Sequence, residues 1–120
     1  MAFDWPRLLL IARELADRAD EASHRTAVNR AYYAAYGTAR VRLVREEGPI
    51  PLGVNTHDYV WRAYFRSRDR LRRFIGKGGY DLLRLRVQAD YADDISTLDL
   101  DAGTAVILAE RTLANLASLE

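Results

Sequence analysis

The chain has 120 residues, 49% hydrophobic and 29% charged, enough for a single domain spanning 1–120 with its own core. It contains no cysteine, which excludes a disulfide framework and a thiolate metal site. Its formal charge of +1 hides a segregation: residues 1–60 carry eight basic and eight acidic side chains, 61–86 nine and two, and 87–120 one and seven.

Asp4-Trp5-Pro6 marks a helix start, since proline is tolerated in a first turn. Trp5, Leu8, Ala12, Leu15 and Ala19 then recur by threes and fours, an amphipathic helix to about Asp20. Ser23 is placed to cap a second helix that runs to about Glu47. Its middle, Arg30-Ala-Tyr-Tyr-Ala-Ala-Tyr36, is apolar on most sides, as in a helix at the centre of a bundle. Alanines there admit a close neighbour, and Tyr32, Tyr33 and Tyr36 fill the remaining space. Gly37 weakens the helix locally, which a close neighbour accounts for. Arg30 is a charge among alanines and needs a partner.

Gly48-Pro-Ile-Pro-Leu-Gly53 breaks the chain. Asn55 or Thr56 caps a third helix, with Val60, Tyr64, Leu71 and Phe74 as its core face and Trp61, Phe65 and Ile75 widening it. Gly76-Lys-Gly-Gly79 reads as its terminator. A P-loop is the less suitable reading there, because the spacing is wrong and no strand precedes it. A fourth helix covers about Tyr80 to Tyr91, with Leu82, Leu85 and Ala89 inward. Ala92 to Leu98 is a loop. A fifth helix follows Asp99, with Ala102, Val106, Ala109, Leu113 and Leu116 on one seam. No segment alternates as a strand does, so the fold class is all-α, an antiparallel bundle of four or five helices.

No apolar run approaches the roughly 18 residues that span a membrane, and no signal peptide is visible. A cytoplasmic chain with no membrane contact is the expectation. His24 and His57 lie far apart with no second histidine near either, so neither a metal nor another cofactor is expected.

The blocks Arg25-Thr-Ala-Val-Asn-Arg-Ala-Tyr-Tyr-Ala-Ala-Tyr36, Thr56-His57 at a helix start, and Leu85-Arg-Val-Gln-Ala-Asp-Tyr91 resemble, in order and spacing, small prokaryotic HEPN-domain proteins. The resemblance covers about residues 8–117. It implies an up-and-down helical bundle that forms a homodimer and works beside a minimal nucleotidyltransferase in a toxin–antitoxin or defence module. It also implies RNA or nucleotide as ligand. Some members are metal-independent ribonucleases that use an arginine, then four to six residues, then a histidine. Here Asp90 and Tyr91 stand where that histidine belongs, and none follows His57. A non-catalytic dimeric module that binds a partner protein is the rival reading.

Two arginine sets carry the functional expectation. Arg86 and Asp90 are four apart and touch on a helix; with Tyr91 they form the candidate catalytic set, or else a structural pair. Arg62, Arg66, Arg70 and Arg73 fall on one stripe of a continuous third helix. With Arg30 they are the candidate RNA- or nucleotide-binding residues. The stripe meets phosphate, the acidic last third of the same or a partner subunit, or solvent. The three central tyrosines pack in the core or stack on bases. Arg30 is expected beside Asp90 or Tyr91, joining the second helix to the fourth.

Overall fold

The computed structural model describes residues 2–119, and among these the chain is all-helical. A single 3₁₀ turn, Trp5–Arg7, leads into α1, Leu8–Ala16; α2 is Glu21–Glu47, α3 Thr56–Phe65, α4 Arg70–Tyr91 and α5 Leu98–Ala117. No helix among the described residues is long and apolar enough to cross a membrane.

Helix α2 is the axis on which α1, α4 and α5 pack. Its alanines at 27, 31, 34, 35 and 39 are fully buried, so the neighbouring backbones come close on several sides. Helix α4 runs antiparallel to it. Arg25 donates to the Ala89 carbonyl at 2.9 Å at one end, and Arg72 meets Glu46 at 2.7 Å at the other. Helix α5 runs parallel to α2, because Arg42 near the end of α2 reaches the Leu116 carbonyl at 3.2 Å. Gly37 admits the Trp5 indole, whose Cγ lies 2.5 Å from where a Cβ would stand. The close neighbour that this glycine makes room for is therefore a side chain of the 3₁₀ turn.

The ends of the helices follow local chemistry. Asn55 caps α3 by accepting from the Asp58 N–H at 3.0 Å. Helix α2 starts earlier than Ser23: Asp20 is the cap and accepts from both the N–H and the hydroxyl of Ser23. Helix α1 ends at Ala16, with Asp17 at its C-cap, and Ala19 is exposed in the turn before α2.

The stretch from 56 to 91 departs from expectation. The third helix does not run on to Ile75; it stops at Phe65. The Asp69 carboxylate then caps a new helix by accepting from the Arg72 N–H at 3.2 Å, while the Ser67 hydroxyl accepts from the Asp69 N–H at 3.1 Å. Helix α4 continues straight through Gly76-Lys-Gly-Gly79, the expected terminator. These glycines are packing sites. A Cβ on Gly76 would lie 2.6 Å from Phe65 Cα, and one on Gly79 would overlap the Trp61 indole. Two missing side chains let α3 cross α4 almost backbone to backbone. The break also moves Phe65 and Phe74 out of the expected core, to 49% and 52% exposure. On α5 the seam holds: Ala102, Val106, Ala109 and Leu116 are buried, with Leu113 packed against them.

Candidate functional site

Where α2, α3 and the second half of α4 meet, an aromatic wall carries one arginine and one histidine. Tyr32 is fully buried and Tyr36 nearly so, while Tyr33 is half-buried. His57, in the first turn of α3, stacks on Tyr36 with ring centroids 4.2 Å apart and planes 19° from parallel. Its Nδ1 lies 2.6 Å from the Tyr32 hydroxyl, and Trp61 Nε1 donates to that same hydroxyl oxygen at 3.0 Å.

The direction of this chain of hydrogen bonds is set by chemistry. An indole N–H only donates, so the Tyr32 oxygen accepts from Trp61, and with His57 Nδ1 the only other hydrogen-bond partner of this hydroxyl among the described residues, its own hydrogen goes there. A neutral His57 then carries its proton on Nε2, which is a donor. Burial lowers the His57 pKa below its ordinary 6.5, and the nearby Arg86 charge lowers it further. Burial raises the Tyr32 hydroxyl well above its ordinary value, so it stays protonated.

Arg86 lies against this wall from α4. Its guanidinium carbon is 5.3 Å from the Tyr32 ring centre and 5.8 Å from that of Tyr33, a cation–π arrangement. Its side chain is only 13% exposed, and Nη1 pairs with Asp90 at 3.2 Å. Asn29 Nδ2 also reaches both Asp90 oxygens at 3.4 Å. Two buried atoms here, Arg86 Nε and Asn29 Oδ1, have no hydrogen-bond partner among the described residues. A buried donor without a partner costs about 1–3 kcal/mol, and native structures rarely tolerate one without a reason.

His57 gives a direct test of this geometry. Its folded pKa is depressed, so the unfolded chain takes up a proton first as pH falls. Its contribution to stability is intact above about pH 6.5 and declines below it. In an NMR titration the His57 midpoint is expected below 6.5, and Arg86→Ala should move it upward by removing a like charge. A midpoint at or above the free imidazole value contradicts this placement.

Of the expected site residues, Arg86 and Asp90 do pair as an i,i+4 couple. Tyr91 does not join them: it is 74% exposed on the outer face of α4. Asp90 is joined to α2, but by Asn29 instead of the expected Arg30. On α2 the two residues differ by about 100°, and it is Asn29 whose side chain reaches Asp90. The arginine stripe is broken by the Asp69 cap. Arg62 belongs to α3 and pairs with Asp58 at 2.9 Å, while Arg66 ends that helix. Arg70 opens α4 with its guanidinium 5.5 Å from the Phe74 ring centre, and Arg73 donates to the Ser67 and Arg68 carbonyls. The four gather near the α3–α4 turn and do not line one helix.

His57, Trp61 and Asn29 were not singled out as site residues from the sequence. The visible signals were Thr56-His57 at a helix start and an Asn29 one turn before the tyrosines. Neither says that residues 25 and 29 positions apart share one hydroxyl. Among the described residues no group of three or more His, Cys, Asp or Glu side chains is arranged to hold a metal ion. No protein-family model, curated protein or solved structure matches this chain.

Proposed function

We propose that the chain binds RNA or a nucleotide through a phosphate held by Arg86 and His57 against the tyrosine wall. The observation that carries this reading is Arg86 itself: a nearly buried guanidinium fixed by Asp90 and two tyrosine rings. Arginine offers a planar fork suited to phosphate, and His57 adds a neutral N–H donor beside it. Tyr33 supplies a half-buried aromatic edge on which a base can lie. In the setting implied by the HEPN resemblance, such a protein works beside a minimal nucleotidyltransferase in a toxin–antitoxin or defence module. Ribonuclease activity is the further step of that reading. It brings Arg86 together with a histidine from another helix, but with Nδ1 occupied by Tyr32 that histidine is poised to give a proton, not to take one.

The test is equilibrium binding of a single-stranded RNA oligonucleotide and of mononucleotides at several salt concentrations. Loss of a charge-assisted contact costs about 1.5–3 kcal/mol, so Arg86→Ala should weaken binding roughly tenfold to a hundredfold, and His57→Ala less. Arg62→Glu with Arg66→Glu serves as the comparison. If Arg86→Ala, shown folded by its helical circular dichroism, binds as wild type while the turn variants lose affinity, the site lies at the α3–α4 turn and this reading fails.

A non-catalytic module that docks on a partner protein is the second reading. The exposed Phe65 and Phe74 beside that turn favour it. Co-purification with the product of an adjacent gene distinguishes the two, since it leaves Arg86 irrelevant.

A further inference from the structure

The second half of α2 and the last turns of α5 run side by side and leave a groove between them. Ala114 and Ala117 on α5 and Thr38 on α2 are too small to fill the space where the helices part. Trp5 is sunk against Gly37, which holds the next residue, Pro6, beside the same gap. The result is a cavity of about 460 Å³ lined also by Leu113 and Leu116, with Arg42 and Arg45 from α2. A smaller cavity of about 140 Å³ adjoins it and shares Pro6, Thr38 and Arg45.

We infer that this groove binds a small amphipathic anion, a carboxylate on a linear alkyl chain. Its volume lies within the roughly 300–1,000 Å³ of small-molecule pockets. The lining is apolar apart from Thr38 and the two arginines, and no acidic side chain belongs to it. The Thr38 hydroxyl already donates to the Ala34 carbonyl at 2.7 Å, so the arginines are the donors left for a ligand. Arg42 is held in place: Nη1 donates to the Leu116 and Leu119 carbonyls at 3.2 and 3.4 Å, and Nε lies 3.5 Å from Glu46. Arg45 is exposed and has no hydrogen bond, ion pair or ring contact among the described residues. A cation without a counter-charge at the edge of an apolar groove is complementary to an anion that carries an apolar body.

Size favours a chain over a docked helix. From Thr38 to Arg45, α2 rises about 10 Å. A helix with its side chains is itself about 10 Å across, as wide as this groove is long. A single row of methylenes lies within it, and each one buried should tighten binding by about threefold to fourfold.

The groove is on the far side of α2 from the aromatic wall. Asn29, which reaches Asp90, and Thr38, which lines the groove, are about 180° apart around the helix. Binding here neither requires the proposed phosphate site nor blocks it.

The experiment is a titration with sodium octanoate, below micelle formation, followed by the amide NMR shifts of the protein. Octanoate should bind with a Kd of about 0.1–1 mM and shift the amides around Thr38, Arg45 and Ala117. Butanoate, which has a shorter chain, and octanol, which has no charge, should each bind at least about tenfold more weakly. Arg45→Gln should weaken octanoate roughly tenfold and leave octanol unchanged. Ala117→Phe, at an exposed position, should fill the groove and abolish binding of both. Circular dichroism and a thermal melt establish that each variant is folded. RNA binding by Arg45→Gln should match wild type, so this inference and the proposed phosphate site stand or fall separately. Absence of shifts up to several millimolar octanoate, shifts confined to other surfaces, or equal binding by Arg45→Gln overturns the inference. So does an acidic amphipathic helical peptide that shifts these amides where octanoate does not, which makes the groove a protein-docking surface. Shifts of the same amides that grow with protein concentration alone make a second copy the occupant and overturn it too.

Discussion

Gly79→Ala is expected to destabilise the chain by about 2–3 kcal/mol, although alanine is the better helix former by about 1 kcal/mol. The added Cβ would occupy the space of the Trp61 indole. Trp61 is fully buried, so the ring has no open side to which it can retreat. Gly76→Ala should be at least as harmful, because the obstacle there is the Phe65 backbone, with Cα 2.6 Å from the new carbon. Gly103, in the middle of α5, is the contrast. Nothing lies within 4 Å of its would-be Cβ, so Gly103→Ala should stabilise by up to about 1 kcal/mol. Denaturant unfolding of the three variants checks the signs. A double-mutant cycle sharpens the test: in a Trp61→Ala background, Gly79→Ala should lose most of its cost, a coupling of about 1 kcal/mol or more. If Gly79→Ala is neutral or stabilising in the wild-type background, the close crossing of α3 and α4 is not as described.

The larger loss is expected from Trp61 itself. Trp61→Ala removes the largest fully buried side chain and should cost about 3–5 kcal/mol. It also removes the indole donor to Tyr32, so the damage reaches the site as well as the core. Tyr32→Phe separates the two effects. It keeps the ring in place but takes the acceptor from Trp61 Nε1 and the donor from His57 Nδ1. An unpaired buried indole N–H costs about 1–3 kcal/mol, and His57 becomes free to carry its proton on either nitrogen. Nitrogen-resolved NMR of His57 should show wild type protonated on Nε2 when neutral, and Tyr32→Phe as a mixture of tautomers. Wild type protonated on Nδ1 would reverse the direction of the hydrogen-bond chain and with it the donor role proposed for His57. Tyr64 offers a check on the same reasoning elsewhere in the core. Its hydroxyl donates to the Ala39 carbonyl at 2.7 Å, and burial pushes its pKa up to about 12.

The fold class and most of the helices were legible in the sequence because their determinants are local. Asn55 caps α3 through a residue three positions on, and the α5 seam repeats within single turns of one helix. Arg86 and Asp90 find each other because four residues make one helical turn. Reading failed where a local signal was outweighed by a distant one. Gly76-Lys-Gly-Gly79 looks like a helix end because each glycine costs about 1 kcal/mol of propensity; the structure keeps the helix because Phe65 and Trp61 occupy the space that these glycines leave open. Asp69 is a good cap residue, but it lies inside an apolar periodicity that reads as one continuous helix. The error carried four arginines onto a stripe that does not exist.

The sequence by itself determined that this is a helical bundle with an apolar second helix at its centre, and that Arg86 pairs with Asp90. Only the tertiary structure decided that Asn29 and not Arg30 joins that pair, and that Tyr91 faces outward. It also decided that His57 shares the Tyr32 hydroxyl with Trp61 and lies beside Arg86. Side-chain periodicity says which residues share a face of one helix; it does not say which faces meet. That depends on how closely two backbones approach, and here the approach is set by two glycines and one indole.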